Sequence, residues 1–239
     1  MYKNYIFDLY GTLVDIHTNE GKHYLWQKTS ELFQCYGVSY KPSELKKAFF
    51  HTISCLEKKE DDPYYEIEME TVFIELAQKK QITLDFSSAK NLCYFFRVIS
   101  RQHLALYPEV ITLLKTLKKN KRNVYLLSNA QSSFTRPELE QLGLVPYFDD
   151  ILISSEEHCR KPSTDFMNRL LKRHHLKEDE SIMIGNDCST DIKIANDCGM
   201  DSVYIHSNIS PALPETIPAT YTILDNDLMK IWTLTSQCN

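Results

Sequence analysis

Four groups of polar residues in this chain follow short apolar segments with the composition of β-strands, and each group contains side chains that can do chemistry. The first group contains Asp8, which follows Tyr5-Ile6-Phe7 and precedes Gly11. A carboxylate at the end of a buried strand can act as a nucleophile or bind a cation. An isolated Asp before a turn is more often a structural residue, so the role of Asp8 depends on the other three groups.

The other three groups supply a hydroxyl, a cation and two further carboxylates. Ser128 and Asn129 follow the second strand-like segment, and Lys161 stands just before a predicted helix. Asp187 and Asp191 follow another apolar segment and are one helical turn apart, so they can face the same point. Each signal is weak by itself, because Ser-Asn is a common turn and most lysines are solvated.

The elements that must position these residues alternate between strand and helix after Tyr107. The pattern predicts strands at 123–127, 151–153, 181–184, 203–205 and 221–223. It predicts helices at 109–119, from 138 to Gly143, at 164–174, at 191–197, and a short last helix through Trp232. Such alternation indicates right-handed crossovers and a parallel α/β sheet with helices on both faces. Because ligands of open α/β sheets collect at the carboxyl edge, all four groups are expected there.

A different pattern fills the segment between the first strand and the second. Apolar residues recur at helical spacing from about 19 to 101, which predicts helices at 23–36, 43–57, 64–79 and 87–101 and no strand pair. The aromatic residues of these helices are expected in a core. The helical segment is therefore inserted directly after the strand that carries Asp8.

Composition excludes several classes of function. The 239 residues include 27 Lys and Arg against 32 Asp and Glu, and a net charge of -5 argues against a nucleic-acid partner. Seven cysteines without a C-x-x-C pair indicate a reducing compartment and neither a disulfide framework nor a zinc site. The apolar run before Asp8 is too short for a signal peptide, and no segment has the length of a membrane span. We expect a cytoplasmic, soluble monomer or homodimer without membrane partners.

In their order along the chain, the four groups resemble the motifs of the haloacid dehalogenase-like hydrolase superfamily. The matching residues are Asp8-Leu9-Tyr10-Gly11-Thr12, Ser128-Asn129, Lys161-Pro162 and Gly185-Asn186-Asp187 through Asp191. The resemblance implies a Rossmann-like α/β core at 1–16 and 104–239 and an inserted all-α helical-bundle cap at 17–103. It also implies a Mg²⁺-dependent phosphatase that acts on a small phosphorylated metabolite through an aspartyl-phosphate.

The resemblance further implies a role for each residue of the motifs. Asp8 would be the nucleophile, while Ser128, Asn129 and Lys161 would bind the phosphoryl group, with Lys161 also balancing its charge. Three carboxylates would repel one another without a cation, and oxygen ligands suit Mg²⁺. The implied magnesium ligands are Asp8, the backbone carbonyl of Tyr10, Asp187 and, directly or by support of the others, Asp191.

Two residues depart from the motifs of the phosphatases. Tyr10 stands where they usually carry a second Asp as general acid and base, a function that contributes about 10²–10⁴-fold to the rate. A tyrosine with its usual pKa of about 10 can donate a proton but is a poor base at neutral pH. We therefore expect weak activity on alkyl phosphates and better activity on good leaving groups. Asn186 stands where many members carry an acid, which leaves open whether Asn186 or Asp187 reaches the metal.

Two alternatives remain open at this stage. The Asp-x-Tyr-Gly-Thr form is also similar to metal-free 2-haloacid dehalogenases, in which the Asp attacks carbon. Those enzymes use an arginine early in the cap, whereas this chain has none before Arg97, and its fourth motif keeps two acids. The second alternative is a catalytically weak protein that binds a phosphorylated ligand with the same groups.

Overall fold

A computed structural model describes residues 2–58 and 60–236 of the chain. The strands are β1 (Asn4–Phe7), β2 (Val14–Thr18), β3 (Arg101–Leu106), β4 (Asn123–Ser128), β5 (Asp150–Ile153), β6 (Ser181–Gly185), β7 (Asp201–Ile205) and β8 (Tyr221–Ile223). The helices are α1 (His23–Cys35), α2 (Pro42–Glu57), α3 (Met69–Gln78), α4 (Phe86–Ser100), α5 (Val110–Lys119), α6 (Ser132–Gln141), α7 (Ser154–Glu157), α8 (Thr164–His174), α9 (Lys193–Asp197) and α10 (Met229–Ser236).

Six parallel strands form the central sheet in the order β5-β4-β1-β6-β7-β8. In its centre, Phe7 at the end of β1 lies opposite Leu126 of β4 and Ile184 of β6. The residues that follow these three strands therefore leave the sheet at the same edge. The predicted Rossmann-like parallel sheet is confirmed.

Side chains of β1 alternate between the two faces of the sheet, as the pleat requires. Tyr5 and Phe7 pack in one buried cluster with residues of α5 and α10, whereas Ile6 packs in a second cluster with residues of α8 and α9. All three side chains are completely buried. Burial of each such side chain stabilises the fold by about 1.5–3 kcal/mol, and the two clusters hold β1 rigidly beneath Asp8.

Helices α1 to α4 have a hydrophobic core of their own, as their periodicity predicts. Each contributes a buried phenylalanine, namely Phe33, Phe49, Phe73 and Phe96, and the rings of Phe49 and Phe96 stack with centroids 5.1 Å apart. These aromatic residues serve as core. The division of the chain at 17 and 103 stays a prediction.

The antiparallel pair of β2 and β3 is the main difference from the predicted elements. Val14 pairs with Leu106 and His17 with His103, so the two strands join the helical segment to the sheet at both of its ends. The all-helical segment predicted at 17–103 includes the last residues of β2 and the first residues of β3, so that prediction was wrong at its borders. Each strand is short, and its partner is far away in the sequence, so local periodicity does not reveal the pair.

Several helix boundaries also differ from those predicted. Helix α3 begins at Met69 and not at 64, because the preceding loop is bound to the core, where the carbonyl of Tyr64 accepts from the backbone N–H of Arg160 at 2.9 Å. Helix α6 begins at Ser132, before the predicted 138, and contains Pro137. A π-helical turn, Cys188–Ile192, precedes α9. No helix within residues 2–58 and 60–236 combines the length and the apolar character needed to cross a membrane.

Candidate active site

Lys161 joins two carboxylates at the carboxyl edge of the sheet. Its Nζ lies 2.7 Å from Asp8 Oδ1 and 2.7 Å from Asp191 Oδ1, and it donates to the carbonyl oxygen of Leu127 at 2.7 Å. All three charged residues are buried. Hydrogen bonds between ionised groups are about twice as strong as neutral ones. The structure thus brings together three predicted site residues from separate motifs.

The electrostatics of this triad favour a charged lysine. Burial by itself would lower the pKa of Lys161, but the negative charges of Asp191 and Asp8 outweigh it and hold that pKa above its usual value. Burial raises the pKa of Asp191 to about 6, against the opposing charge of Lys161. The ammonium group of Lys161 thus pairs with two carboxylates, and the triad keeps a net negative charge at neutral pH.

Asp191 also organises the loop after β6. Its Oδ2 accepts hydrogen bonds from the backbone N–H groups of Asn186 and Asp187, each at 3.0 Å. This geometry requires Gly185, because a Cβ at that position would lie 2.3 Å from side-chain atoms of Asp191. Oδ2 of Asp191 is therefore occupied by backbone N–H groups, while Oδ1 contacts Lys161 as an ion pair without a further hydrogen bond among the described residues.

The turn after Asp8 brings Gly11 against the same loop. Gly11 has a φ of +87°, and a Cβ there would lie 2.2 Å from Asn186 Nδ2, so both conformation and space require glycine. The hydroxyl of Thr12 lies 3.3 Å from Asp8 Oδ2 and 3.4 Å from Asn186 Oδ1. Sequence reasoning gave Thr12 no role, although it belongs to the first motif.

Ser128 and Asn129 follow β4 but differ in their contacts. Asn129 Nδ2 donates to the carbonyl of Lys161 at 2.9 Å, and Asn129 Oδ1 accepts from the N–H of Lys161 at 2.8 Å. Asn129 thus holds the backbone that carries Lys161. The buried hydroxyl of Ser128 has no hydrogen-bond partner within residues 2–58 and 60–236. An unsatisfied buried hydroxyl costs about 1–3 kcal/mol, which a ligand oxygen would recover.

A cavity of about 250 Å³ opens beside Asp8, and we call it the Asp8 cavity. Lys161 forms part of its wall, together with Asp187, whose side chain also accepts from the backbone and hydroxyl of Ser189 at 2.7 Å. Its lining residues are Asp8, Tyr10, Asn129, Lys161, Asn186, Asp187, Thr190, Asp191, Ile209 and Pro211. All predicted site residues except Ser128 line this cavity.

The side chain of Tyr10 leads away from the triad. Its hydroxyl donates to Glu138 Oε2 at 2.5 Å, and Glu138 Oε1 accepts from Arg97 Nε at 2.8 Å and Arg101 Nη1 at 3.1 Å. Burial, followed by the charge of Glu138, raises the pKa of Tyr10 well above its usual value. We call Tyr10, Arg97, Arg101 and Glu138 the Glu138 cluster. Nothing in the sequence marked Glu138 or Arg101 as neighbours of Tyr10.

The contacts can be compared with the needs of the implied magnesium ion. Within the part of the chain that is described, no three His, Cys, Asp or Glu side chains form a group that could hold a metal. Magnesium, however, is usually bound by only one or two protein carboxylates, with water and substrate phosphate completing its shell. Asp8, Asp187 and the amide of Asn186 offer such oxygen atoms to one cavity. The residues present fit a site of that kind.

Comparisons with known proteins agree with the four motifs. A family model described as haloacid dehalogenase-like hydrolase matches residues 2–199, which confirms the predicted resemblance. The glyceraldehyde 3-phosphate phosphatase of Methanocaldococcus jannaschii is 33% identical over 99 residues, or 41% of this chain and 43% of that protein. The chain spans less than half of the length of the curated relatives it matches first.

Solved structures share the fold over nearly the whole chain. The magnesium-bound HAD-hydrolase YfnB from Bacillus subtilis has a TM-score of 0.57 at 20% identity and covers 98% of both chains. A dehalogenase has a TM-score of 0.55 at 17% identity, with 99% of this chain and 98% of that one covered. At such identities the similarity concerns the fold alone, so the chemistry has to be argued from the residues.

Proposed function

Because the chain belongs to the haloacid dehalogenase-like hydrolase family, we propose that it is a magnesium-dependent phosphatase of a small phosphorylated metabolite. The observation that carries the proposal is the contact of Lys161 with both Asp8 and Asp191 at the rim of the Asp8 cavity. Phosphatases acting on small metabolites among the relatives support the substrate class.

In this proposal Asp8 forms the covalent intermediate. Lys161 binds Oδ1 of Asp8, so Oδ2 is the oxygen that attacks phosphorus. A bond forms between Oδ2 and phosphorus while the bond from phosphorus to the leaving oxygen breaks, and the leaving oxygen takes a proton from solvent after it departs. Water then attacks phosphorus, the bond between Oδ2 and phosphorus breaks, and the proton of the attacking water passes to solvent as phosphate and Asp8 are released. The unsatisfied hydroxyl of Ser128 donates to a phosphoryl oxygen, and Lys161 offsets the charge of the transferring group.

The metal site of the proposal uses Asp8, Asp187 and the backbone carbonyl of Tyr10. Magnesium, when bound, neutralises charge on the phosphoryl group. Asp191 has both oxygens occupied by Lys161 and by backbone N–H groups, so we assign it a positioning role. Asn129 likewise positions Lys161 through two hydrogen bonds.

Tyr10 forms a wall of the site in this proposal and does not act as general acid or base. Its hydroxyl is bound to Glu138, and its pKa is raised above the ordinary value by burial. The leaving group would then have to depart without receiving a proton from Tyr10. Aryl and acyl phosphates are therefore expected to react faster than sugar phosphates.

The test is hydrolysis of aryl, acyl and sugar phosphates with and without Mg²⁺, by the protein and by Asp8→Asn. We expect magnesium-dependent release of phosphate that disappears in Asp8→Asn, with the carboxamide variant still folded. Turnover that persists in Asp8→Asn would remove Asp8 from its role. Binding of phosphate by the parent protein without any turnover would favour the ligand-binding alternative.

One observation favours a second candidate, metal-free dehalogenation. Lys161 bridges Asp8 and Asp191, so these two carboxylates do not need a metal ion to lie close together. The assay is release of chloride from 2-chloropropionate in the presence of a chelator. The protein would be a dehalogenase and not a phosphatase if it released chloride, if Asp8→Asn abolished that release, and if the parent protein hydrolysed no phosphate ester.

A further inference from the structure

A second cavity of about 280 Å³ adjoins the Asp8 cavity. The two share Tyr10 and Asn129 as common wall residues, so a molecule whose phosphoryl group lies beside Asp8 can extend past Tyr10. The second cavity, which we call the Arg97 cavity, is lined by Tyr10, Ile16, Thr18, Arg97, Asn129, Ala130, Gln131, Phe134 and Thr135.

Arg97 differs in kind from the other residues of this wall. Among the described residues that line the Arg97 cavity, it is the only one with a charged side chain. Its guanidinium carbon lies 5.5 Å from the ring centroid of Tyr10 and 5.3 Å from that of Phe134, and its Nε binds Glu138. Stacking on two rings and a bond to a buried carboxylate hold the guanidinium in place.

The charges of the Glu138 cluster do not cancel. Arg97 and Arg101 both bind the single carboxylate of Glu138, which also accepts from Tyr10. Two guanidinium groups and one carboxylate leave one positive charge in excess, and Arg97 is the one that reaches the cavity wall. The Asp8 cavity has the opposite balance, with three carboxylates and Lys161 as its charged lining residues in the described chain.

We propose that the Arg97 cavity binds the leaving group of the substrate and that Arg97 selects phosphomonoesters whose leaving group carries a carboxylate. The proposal rests on the phosphatase function proposed above. Arg97 binds Glu138 through Nε and Nη2, so its Nη1 is the nitrogen that donates a charge-assisted hydrogen bond to a substrate carboxylate, and the rings of Tyr10 and Phe134 offer apolar contact to the carbon skeleton. The volume lies below the roughly 300–1,000 Å³ of pockets for drug-sized ligands, which indicates a small leaving group.

The experiment compares two substrates of similar size and leaving-group strength, 4-carboxyphenyl phosphate and 4-carbamoylphenyl phosphate. For the parent protein with Mg²⁺ we expect kcat/KM to be about tenfold higher for the carboxylate, which corresponds to one good charge-assisted contact. Arg97→Gln is expected to reduce this ratio to about one. Arg97→Lys keeps the positive charge but loses the planar guanidinium group, and its ratio is expected to lie between those of the parent protein and Arg97→Gln.

Arg101→Gln is the matched control. It removes a guanidinium from the same Glu138, but Arg101 is not part of the cavity wall. Its ratio is expected to fall by less than that of Arg97→Gln, because it removes the excess charge of the cluster but leaves the contact of Arg97 with substrate. A general disturbance of the Glu138 cluster would change both variants alike, whereas a contact with substrate makes the loss in Arg97→Gln the larger one.

A second variant changes the charge of the cavity at a residue outside the Glu138 cluster. Thr18 lines the same wall, so Thr18→Asp places a negative charge there and should reduce the ratio below one, with little effect on the carbamoyl substrate. The proposal is overturned if the parent protein hydrolyses both substrates equally well, or if Arg97→Gln and Thr18→Asp keep the preference. If neither ester is hydrolysed, the phosphatase proposal itself fails and the selectivity proposal fails with it.

Discussion

The hydroxyl of Tyr10 provides the sharpest test of how this site works. Tyr10→Phe removes that hydroxyl alone. If Tyr10 were the general acid, the variant would lose about 10²–10⁴-fold in rate, or roughly 3–5 kcal/mol of transition-state stabilisation. The hydroxyl donates to Glu138 and is not directed at the triad, so we expect kcat to change by less than about threefold.

The structure instead predicts a loss of stability in this variant. A hydrogen bond to a charged group contributes about 1.5–3 kcal/mol. Glu138 keeps its bonds from Arg97 and Arg101, so the carboxylate is not left without partners, and the lower end of that range applies. For a chain of this size, a loss of about 1.5 kcal/mol lowers Tm by about 3–6 °C.

The measurements are kcat and KM with an aryl and a sugar phosphate, together with thermal and urea denaturation. Tyr40→Phe is the matched control, because its buried hydroxyl donates to the carbonyl of Leu76 in the core of the helical segment. It is expected to lose about 0.5–1.5 kcal/mol and no activity. The reasoning would be refuted if Tyr10→Phe lowered kcat a hundredfold at unchanged stability, with a larger decrease for the sugar phosphate than for the aryl phosphate. Tyr10 would then be a general acid and not only a residue that lines the site.

Three further predictions concern the triad and its metal. Lys161→Met leaves Asp8 and Asp191 unpaired and should lower the free energy of unfolding by about 3–5 kcal/mol at pH 7. Burial raises the pKa of Asp191 and Lys161 lowers it, so removal of Lys161 raises that pKa further. The folded variant therefore binds a proton more readily than the folded parent as the pH falls from 7 to 5, and the loss should be smaller at pH 5 in urea titrations; a larger loss at pH 5 would contradict this reasoning. Removal of Mg²⁺ by a chelator should abolish phosphate release, and addition of excess Mg²⁺ should restore the release. Full activity in the presence of the chelator would exclude the metal-dependent mechanism. Gly185→Ala should destabilise the protein by about 1–3 kcal/mol and lower kcat, because its Cβ would displace Asp191. Gly21→Ala is the control and should change neither quantity, because its nearest contact is an exposed Asn side chain. Equal effects of the two variants on Tm and kcat would contradict the close approach of Gly185 to Asp191.

The sequence alone was sufficient for the framework of the fold. The strands that end at Phe7, Ser128 and Gly185 are short apolar runs, and such local patterns reveal parallel strands because both of their faces are buried. Three of the four groups of polar residues also follow from local positions, since each stands where a strand ends. Lys161 lies beyond α7, eight positions after the end of β5, so its contact with Asp8, 153 positions away, was expected from the resemblance of the four motifs and not from the strand pattern.

The boundaries of elements were harder to predict wherever a distant partner decided them. Helix α3 begins late because its preceding loop is bound to Arg160, and β2 is a strand only because β3 pairs with it. Neither partner is close in the sequence. Local propensity is a weak guide where the pairing energy comes from so far away.

Only the tertiary structure decided what each polar side chain does at the site. Asn129, expected to bind substrate, hydrogen-bonds the backbone of Lys161, and Asp191 has both oxygens occupied by protein groups. Tyr10 donates to Glu138, 128 positions away, a partner that no motif indicates. The sequence by itself determined which chemical groups reach the edge of the sheet, because the carboxyl ends of parallel strands lie at one edge. The direction of each side chain depends on packing and on hydrogen-bond partners from distant elements, and those exist only in the folded chain.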